Sequence, residues 1–201
     1  MGTMRTVAAI TTSLDGYYAG PDDGPGRGLG IGGERLHYWV FGGPWTYAAG
    51  PEGSATGADK DMLDAWMSSL GAVIGGRATY EAAGRWGDTN PWGVPFFILT
   101  HRLDEQPSAA PDMSFVGSLD EALARAREAA GEREVQIMGG GDVIRQALAA
   151  GQVDELYVTV APLVLGGGKR LFDGFDQTLE LEQVHAVQSG FATHLHYRVK
   201  K

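Results

Sequence analysis

The residues best placed to do chemistry are two glycine turns and the arginines beside one of them. Gly139, Gly140 and Gly141 interrupt an apolar run, 135–138, and apolar residues return at helical spacing at Val143, Ile144, Ala147 and Leu148. Strand, tight turn, helix is the pattern. Glycine lets a backbone approach a ligand closely, and the free N–H groups at a helix start carry partial positive charge, so the turn suits a phosphate. It is not a P-loop, because no Gly-Lys-Ser/Thr follows, and it lacks the full G-x-G-x-x-G spacing. The same residues fit a plain turn in which the Asp142 carboxylate caps its own helix and takes up those N–H groups. A second strand, 72–74, runs into Gly75-Gly76-Arg77-Ala78-Thr79-Tyr80. Here a cation sits in the turn and favours an anion. A third, 95–100, is apolar throughout, as in strands covered on both faces, and ends in His101-Arg102.

The elements that must position these turns follow from the pattern along the chain. Residues 5–12 read as a first strand that leaves through Ser13-Leu14-Asp15-Gly16 into a glycine-rich stretch, 16–33, where regular structure is costly. Residues 34–41 suit a short aromatic-rich helix. A better helix spans 58–70, with Met62, Leu63, Trp66 and Leu70 as its apolar stripe and Asp61, Asp64 and Ser68 on an adjoining face, where carboxylates are ordinarily solvated. Ser118 and Glu121 form a capping box ahead of another helix, and Gly151 closes the helix after the triple-glycine turn. Repeated β and α means a mostly parallel sheet covered on both sides. The tail differs: 154–162 is a strand, 163–172 a glycine-rich crossover, and 179–187 and 193–199 alternate like an antiparallel pair. His194, His196 and Arg198 share one face of the last strand. An H-x-H pair can hold metal, but with no cysteine and no third ligand besides His185, none is expected.

Composition narrows the function classes. The 201 residues are read as one domain, 1–201, with a core that needs no metal or disulfide. Cysteine is absent, which removes thiol nucleophiles and cysteine-ligated metal and fits a cytoplasmic setting. A net charge of −9 disfavours nucleic acid and anionic membrane as partners, so an anionic ligand needs a local basic site. No apolar run reaches membrane-spanning length.

In order, Ser13-Leu14-Asp15-Gly16, Gly76-Arg77-Ala78-Thr79-Tyr80-Glu81, Leu99-Thr100-His101-Arg102, Gly139-Gly140-Gly141 and Asp154-Glu155-Leu156 through Ala161–Gly166 to Leu171-Phe172 resemble the dihydrofolate reductase superfamily. The likeness is greatest to its bacterial branch related to the riboflavin-biosynthesis reductase, the RibD C-terminal domain. It implies a three-layer α/β fold with a mostly parallel central sheet, helices on both faces and an antiparallel C-terminal hairpin. It also implies NADPH as cofactor, with Gly76, Arg77 and Thr79 in the phosphate turn and Thr100 and Arg102 at the 2′-phosphate. Gly139, Gly140 and Gly141, with the helix start at Val143 and Ile144, would lie along the pyrophosphate towards the nicotinamide.

The same resemblance implies hydride transfer to a small pterin-like or riboflavin-precursor-like heterocycle, in a homodimer. Asp15 would meet substrate, and a buried carboxylate there would have a raised pKa suited to an acid. Trp86 is a further substrate candidate. Dihydrofolate reductases carry an acid on the helix before the Gly-Arg turn; an ungapped count back from Gly76-Arg77 lands on Lys60, between Asp59 and Asp61, and points to Asp61 or Asp64 after a small shift. A non-catalytic nucleotide- or ligand-binding protein of the same fold is the competing expectation.

Overall fold

The chain, in a computed structural model that describes residues 4–105 and 110–201, begins with β1 (Thr6–Ser13) and β2 (Tyr17–Ala19). A 3-10 turn (Gly33–His37) leads into α1 (Tyr38–Phe41), then α2 (Gly57–Ser69), β3 (Leu70–Gly76) and α3 (Arg77–Ala82). There follow β4 (Phe96–Leu99), β5 (Met113–Val116), α4 (Leu119–Ala130), β6 (Glu134–Met138) and α5 (Gly141–Ala149). The tail is β7 (Glu155–Ala161), β8 (Lys169–Arg170), β9 (Leu181–Gln188) and β10 (Thr193–Val199).

Eight strands form one sheet in the order β5-β4-β3-β6-β1-β7-β10-β9. From β5 to β7 every pairing is parallel, and β10 then runs antiparallel to both β7 and β9. The fold is the dihydrofolate-reductase-like one, with an antiparallel hairpin at its end.

One face of the sheet is sealed by α4 and α5. Ala8, Ile74, Ile137 and Leu156 project from neighbouring strands into a fully buried core with Ala122, Leu123, Ile144 and Leu148 of the helices. Burying each of the larger aliphatic side chains contributes about 1.5–3 kcal/mol. Ser118 caps α4 as its sequence suggests, its hydroxyl accepting from the Glu121 N–H. The other face, carrying Thr11, Thr159 and His194, is met by α1 and α2.

Residues 16–33 are more regular than their glycine content implies. β2 pairs with β8, so the segment after β1 is tied to the crossover after β7. Gly168 permits this closeness, because a Cβ there would lie 2.0 Å from the Ala19 carbonyl oxygen.

Candidate functional site

The parallel strands bring their carboxyl ends to one edge, where ligands of open α/β sheets bind. At that edge β3 and β6 touch: the Gly76 N–H donates to the Gly139 carbonyl at 3.2 Å. The turn is built for close approach. A Cβ on Gly76 would lie 3.1 Å from Val143 Cγ2, and one on Gly140 would lie 3.1 Å from Thr79 Oγ1. Gly139 takes φ +36, and its peptide to Gly140 is cis. Thr79 thus lies against both Gly139 and Gly140.

The neighbouring strand ends meet as well. Arg77, 9% exposed, donates from Nε to Glu81 at 2.8 Å, is ion-paired with Glu105, and reaches the Arg102 carbonyl at 3.3 Å. Arg102 donates to the same Glu81 oxygen at 3.1 Å. Thr100 accepts from the Arg102 N–H at 3.0 Å, which fixes the exit of β4. Arg77, Thr100, Arg102 and the Gly139 turn therefore lie on one continuous edge.

Two expectations about the triple-glycine turn need correction. Asp142 does not cap its own helix; its carboxylate accepts from Arg145 at 3.3 Å and Gln146 at 2.9 Å, further along α5. The side chains of Val143 and Ile144 are buried in the core, and the Ile144 N–H is spent on Gly140 within the helix. Only backbone at the start of α5 remains for a ligand. Tyr18 covers Gly141, where an added Cβ would lie 2.5 Å from the ring. Burial raises the Tyr18 pKa, against the pull of Lys169, Arg145 and a hydrogen bond from the Gly141 N–H.

Asp15 overturns the expectation of a raised pKa. One carboxylate oxygen accepts from the Ser13 hydroxyl at 2.5 Å and the Leu165 N–H at 3.1 Å; the other accepts from the Gly166 N–H at 2.8 Å. These bonds, the Ser13 one foremost, outweigh desolvation and hold the pKa down at about 2. At neutral pH the group is an ionised latch between the exits of β1 and β7, unsuited to giving up a proton.

Asp61 is also corrected. It is exposed on α2, as is Asp64, which is ion-paired with Lys60. The buried carboxylate of this helix is Asp59, 4% exposed, whose Oδ1 lies 2.7 Å from His194 Nε2. On the far side of the ring, His194 Nδ1 lies 2.9 Å from Thr159 Oγ1. One signal in the sequence pointed there. Asp59 shares the i, i+3, i+4, i+7 stripe of Met62, Leu63 and Trp66. Asp59 lies one residue before the position on which the ungapped count lands, and β3 bulges between helix and turn, Leu70 pairing with Glu134 but Ala72 with Val135, which inserts one residue there.

The sheet face that carries Thr11, Thr159 and His194 is less sealed around Ala9 than the opposite face is around Ala8. Ala9, in the central strand and flanked by Met138 and Tyr157, is only half-buried, whereas Ala8 on the opposite face is sealed. The amide of Gln136 and the Trp66 Nε1 are buried with no hydrogen-bond partner. Trp86 packs against Trp92, Phe96 and Tyr80, at ring separations of 4.6, 5.4 and 5.9 Å. Its neighbours Arg85 and Asp88 share its left-handed backbone, with φ of 58°, 47° and 58° for 85, 86 and 88. This conformation costs each about 1–2 kcal/mol, and the aromatic packing must hold it.

The two histidines of the last strand do not converge on a metal. His196 faces Glu155 at 2.9 Å and stacks on Tyr157 with centroids 4.1 Å apart, while His194 is taken by Asp59. Among the described residues no cluster of three or more ligating side chains exists.

The model of the RibD C-terminal domain family matches residues 6–195. The chain belongs to this family. Over 134 residues, 66% of this chain and 75% of the relative, it is 28% identical to the uncharacterized protein YwjB of Bacillus subtilis. Among solved structures, it resembles a protein from Shewanella sp. PV-4 named for riboflavin biosynthesis, with 27% identity and a TM-score of 0.73; 98% of this chain and 100% of that one are covered. The fold is also that of the Enterococcus faecalis dihydrofolate reductase complexed with NADP(H), at 19% identity and a TM-score of 0.63, covering 98% of this chain and 97% of that one. Membership of a reductase-domain family points to a reductase. Among the described residues, no helix is long and apolar enough to cross a membrane.

Proposed function

We propose that this chain is an NADPH-dependent reductase that transfers a hydride to a C=N or C=O carbon of a small heterocycle, pterin-like or riboflavin-precursor-like. The observation that carries the reading is the meeting of three strand ends: Arg77 and Arg102 share Glu81, and the Gly76 turn bonds to the Gly139 turn. The glycine contacts fit a group that must come close to backbone, and the two guanidiniums fit an adenosine 2′-phosphate. When bound, the reduced nicotinamide supplies the hydride.

The chain's own residues divide the rest. Gly76, Gly139, Gly140 and the first-turn N–H groups of α5 other than that of Gly141, which Tyr18 takes, hold the pyrophosphate, with Thr79 supporting the turn. Arg77, Arg102 and Thr100 hold the 2′-phosphate, for which Glu81 and Glu105 compete. Asp59 replaces Asp61 as the acid of the α2 side, and Asp15 keeps the 163–168 loop in place at the substrate's edge.

Three further readings belong with this one. Residues 1–201 act as one domain in the cytoplasm, which a cysteine-free chain suits. The protein works without nucleic acid or membrane, in keeping with its −9 charge. It forms a homodimer, for which β9 offers an outermost strand with Leu181 and Val184 exposed.

The test is cofactor choice. Titration by nucleotide fluorescence is expected to show NADPH binding at least about 10-fold tighter than NADH, and Arg102→Ala should erase most of that margin. Equal affinities in the unmutated protein count against the reading. Tight binding without NADPH oxidation across a panel of pterins and flavin precursors would favour the non-catalytic binder.

A further inference from the structure

The chain Asp59–His194–Thr159 is assembled from α2, β10 and β7, and packing alone gives no reason for it. Asp59 and His194 side chains are 5% and 1% exposed. A leucine and a phenylalanine would pin α2 to the sheet without the cost of desolvating ionisable groups. The ring is immobilised on every side: Nε2 faces Asp59 at 2.7 Å, Nδ1 faces Thr159 at 2.9 Å, and Trp39 packs edge-on with centroids 5.0 Å apart. Trp39 is itself fixed, donating from Nε1 to Thr11 at 3.1 Å, and Thr11 pairs with Thr159 across β1 and β7. Asp59 Oδ2 accepts no hydrogen bond from any described residue.

We propose that His194 is a positioning residue that, with Thr159, lets the buried pair hold one proton more or one fewer, so that Asp59 can give a proton from Oδ2 to a bound substrate. The proposal rests on the reductase reading above. A hydroxyl can both donate and accept, and that makes Thr159 the reversible part. With the ring neutral, Nε2–H donates to Asp59 and Thr159 donates to Nδ1. With one further proton on the ring, Nδ1–H donates to Thr159, and every partner remains satisfied. The same proton on Asp59 Oδ2 leaves Nε2–H bonded to Oδ1.

During reduction by a nicotinamide hydride, the new C–H bond forms on the substrate carbon and the π pair of C=N moves to nitrogen. That nitrogen takes the proton from Oδ2, the O–H pair stays on the carboxylate, and His194 Nε2–H steadies the anion.

Other charged groups are placed so as not to take over this role. On α2, Lys60, Asp61 and Asp64 face solvent. His196, on the same face of β10, is engaged by Glu155 of β7, which is held by Arg5; His185 of β9 lies opposite His196, and Val187 lies opposite His194. Ahead of α1, burial lowers the His37 pKa to about 4 and keeps that ring neutral at physiological pH.

The experiment has an arm that needs no cofactor. In 15N-labelled protein, the ring nitrogens of His194 are followed by NMR from about pH 5 to about pH 9. The expected result is a change in Nδ1 protonation within that window, moved by at least about one pH unit in Asp59→Asn, where the negative partner is gone. A ring that stays neutral in one tautomer throughout, with no proton appearing at the Asp59 carboxyl in its carbon-13 shift either, overturns the proposal. The second arm is His194→Gln, whose amide can still donate to Asp59 but cannot store a proton. Its kcat should fall about 100-fold and lose the wild-type pH profile, with KM values within a few-fold. An unchanged kcat–pH profile also overturns it. If the wild type neither binds nor oxidises NADPH, the reductase reading fails by itself, while the NMR arm still decides whether the pair holds the proton.

Discussion

Two aspartates near the same sheet edge, Asp15 and Asp59, show how environment assigns a carboxylate its work. Asp15 follows β1 and is surrounded by donors: one hydroxyl and two backbone N–H groups fill its oxygens and hold its pKa at about 2. Such a group is a fastener, since an anion stabilised this well does not release or accept protons near neutrality. Asp59 begins α2, lies beneath the surface, and has one partner that is itself titratable, with one oxygen to spare. Solvation by fixed N–H dipoles makes a latch; coupling to an imidazole and a hydroxyl makes a group that can change state. The contrast separates what holds the site together from what can act in it.

The largest effect is expected from breaking the buried member. Asp59→Ala leaves the buried His194 Nε2 without its hydrogen-bond partner, which costs about 1–3 kcal/mol. Urea denaturation should show this loss, and a change below about 1 kcal/mol would mean that the pair is open to solvent and that the contrast with Asp15 is overdrawn.

Asp15 should matter less and in a pH-dependent way. Its folded pKa is below the ordinary value near 3.9, so its stabilisation is fully present above about pH 4 and is lost as pH falls towards about 2. Asp15→Asn presents an NH2 group where N–H donors already point, so its urea midpoint should lie below wild type at pH 7. The gap should close as both are acidified through that window. A gap that stays constant would show that shape and not charge makes the latch.

The unequal legibility of these parts has a physical reason. Gly76, Arg77, Thr100, Arg102 and Gly139–Gly141 are contiguous motifs whose function resides in local backbone, so a short stretch of sequence carries the signal. The parallel order of the strands likewise follows from alternating β and α patterns. Asp59, Thr159 and His194 are separated by 100 and 35 residues, and only the pairing of β7 with β10 under α2 unites them. Asp15 looked like an acid because its motif was visible while its three donors, two of them 150 and 151 residues away, were not. The start of α2 was partly readable: an aspartate on an apolar stripe is a stronger sign of burial than an ungapped count, and the bulge at Gly71 lies within the stretch counted.

The smallest effect sharpens the comparison from the other side of the helix. Lys60 is the residue on which the count lands, and it and Asp64 form an exposed i, i+4 ion pair. Exposed pairs of this kind contribute about 0.3–0.5 kcal/mol, so Lys60→Ala should shift unfolding free energy by no more than about that amount. The same helix would then tolerate loss of a charged group on its outer face and not on its inner one, a separation of one residue along the chain. If Lys60→Ala or Asp61→Asn instead destabilised the protein as much as Asp59→Ala, α2 would have to be rotated about its axis. The acid would then return to the register that the count suggested.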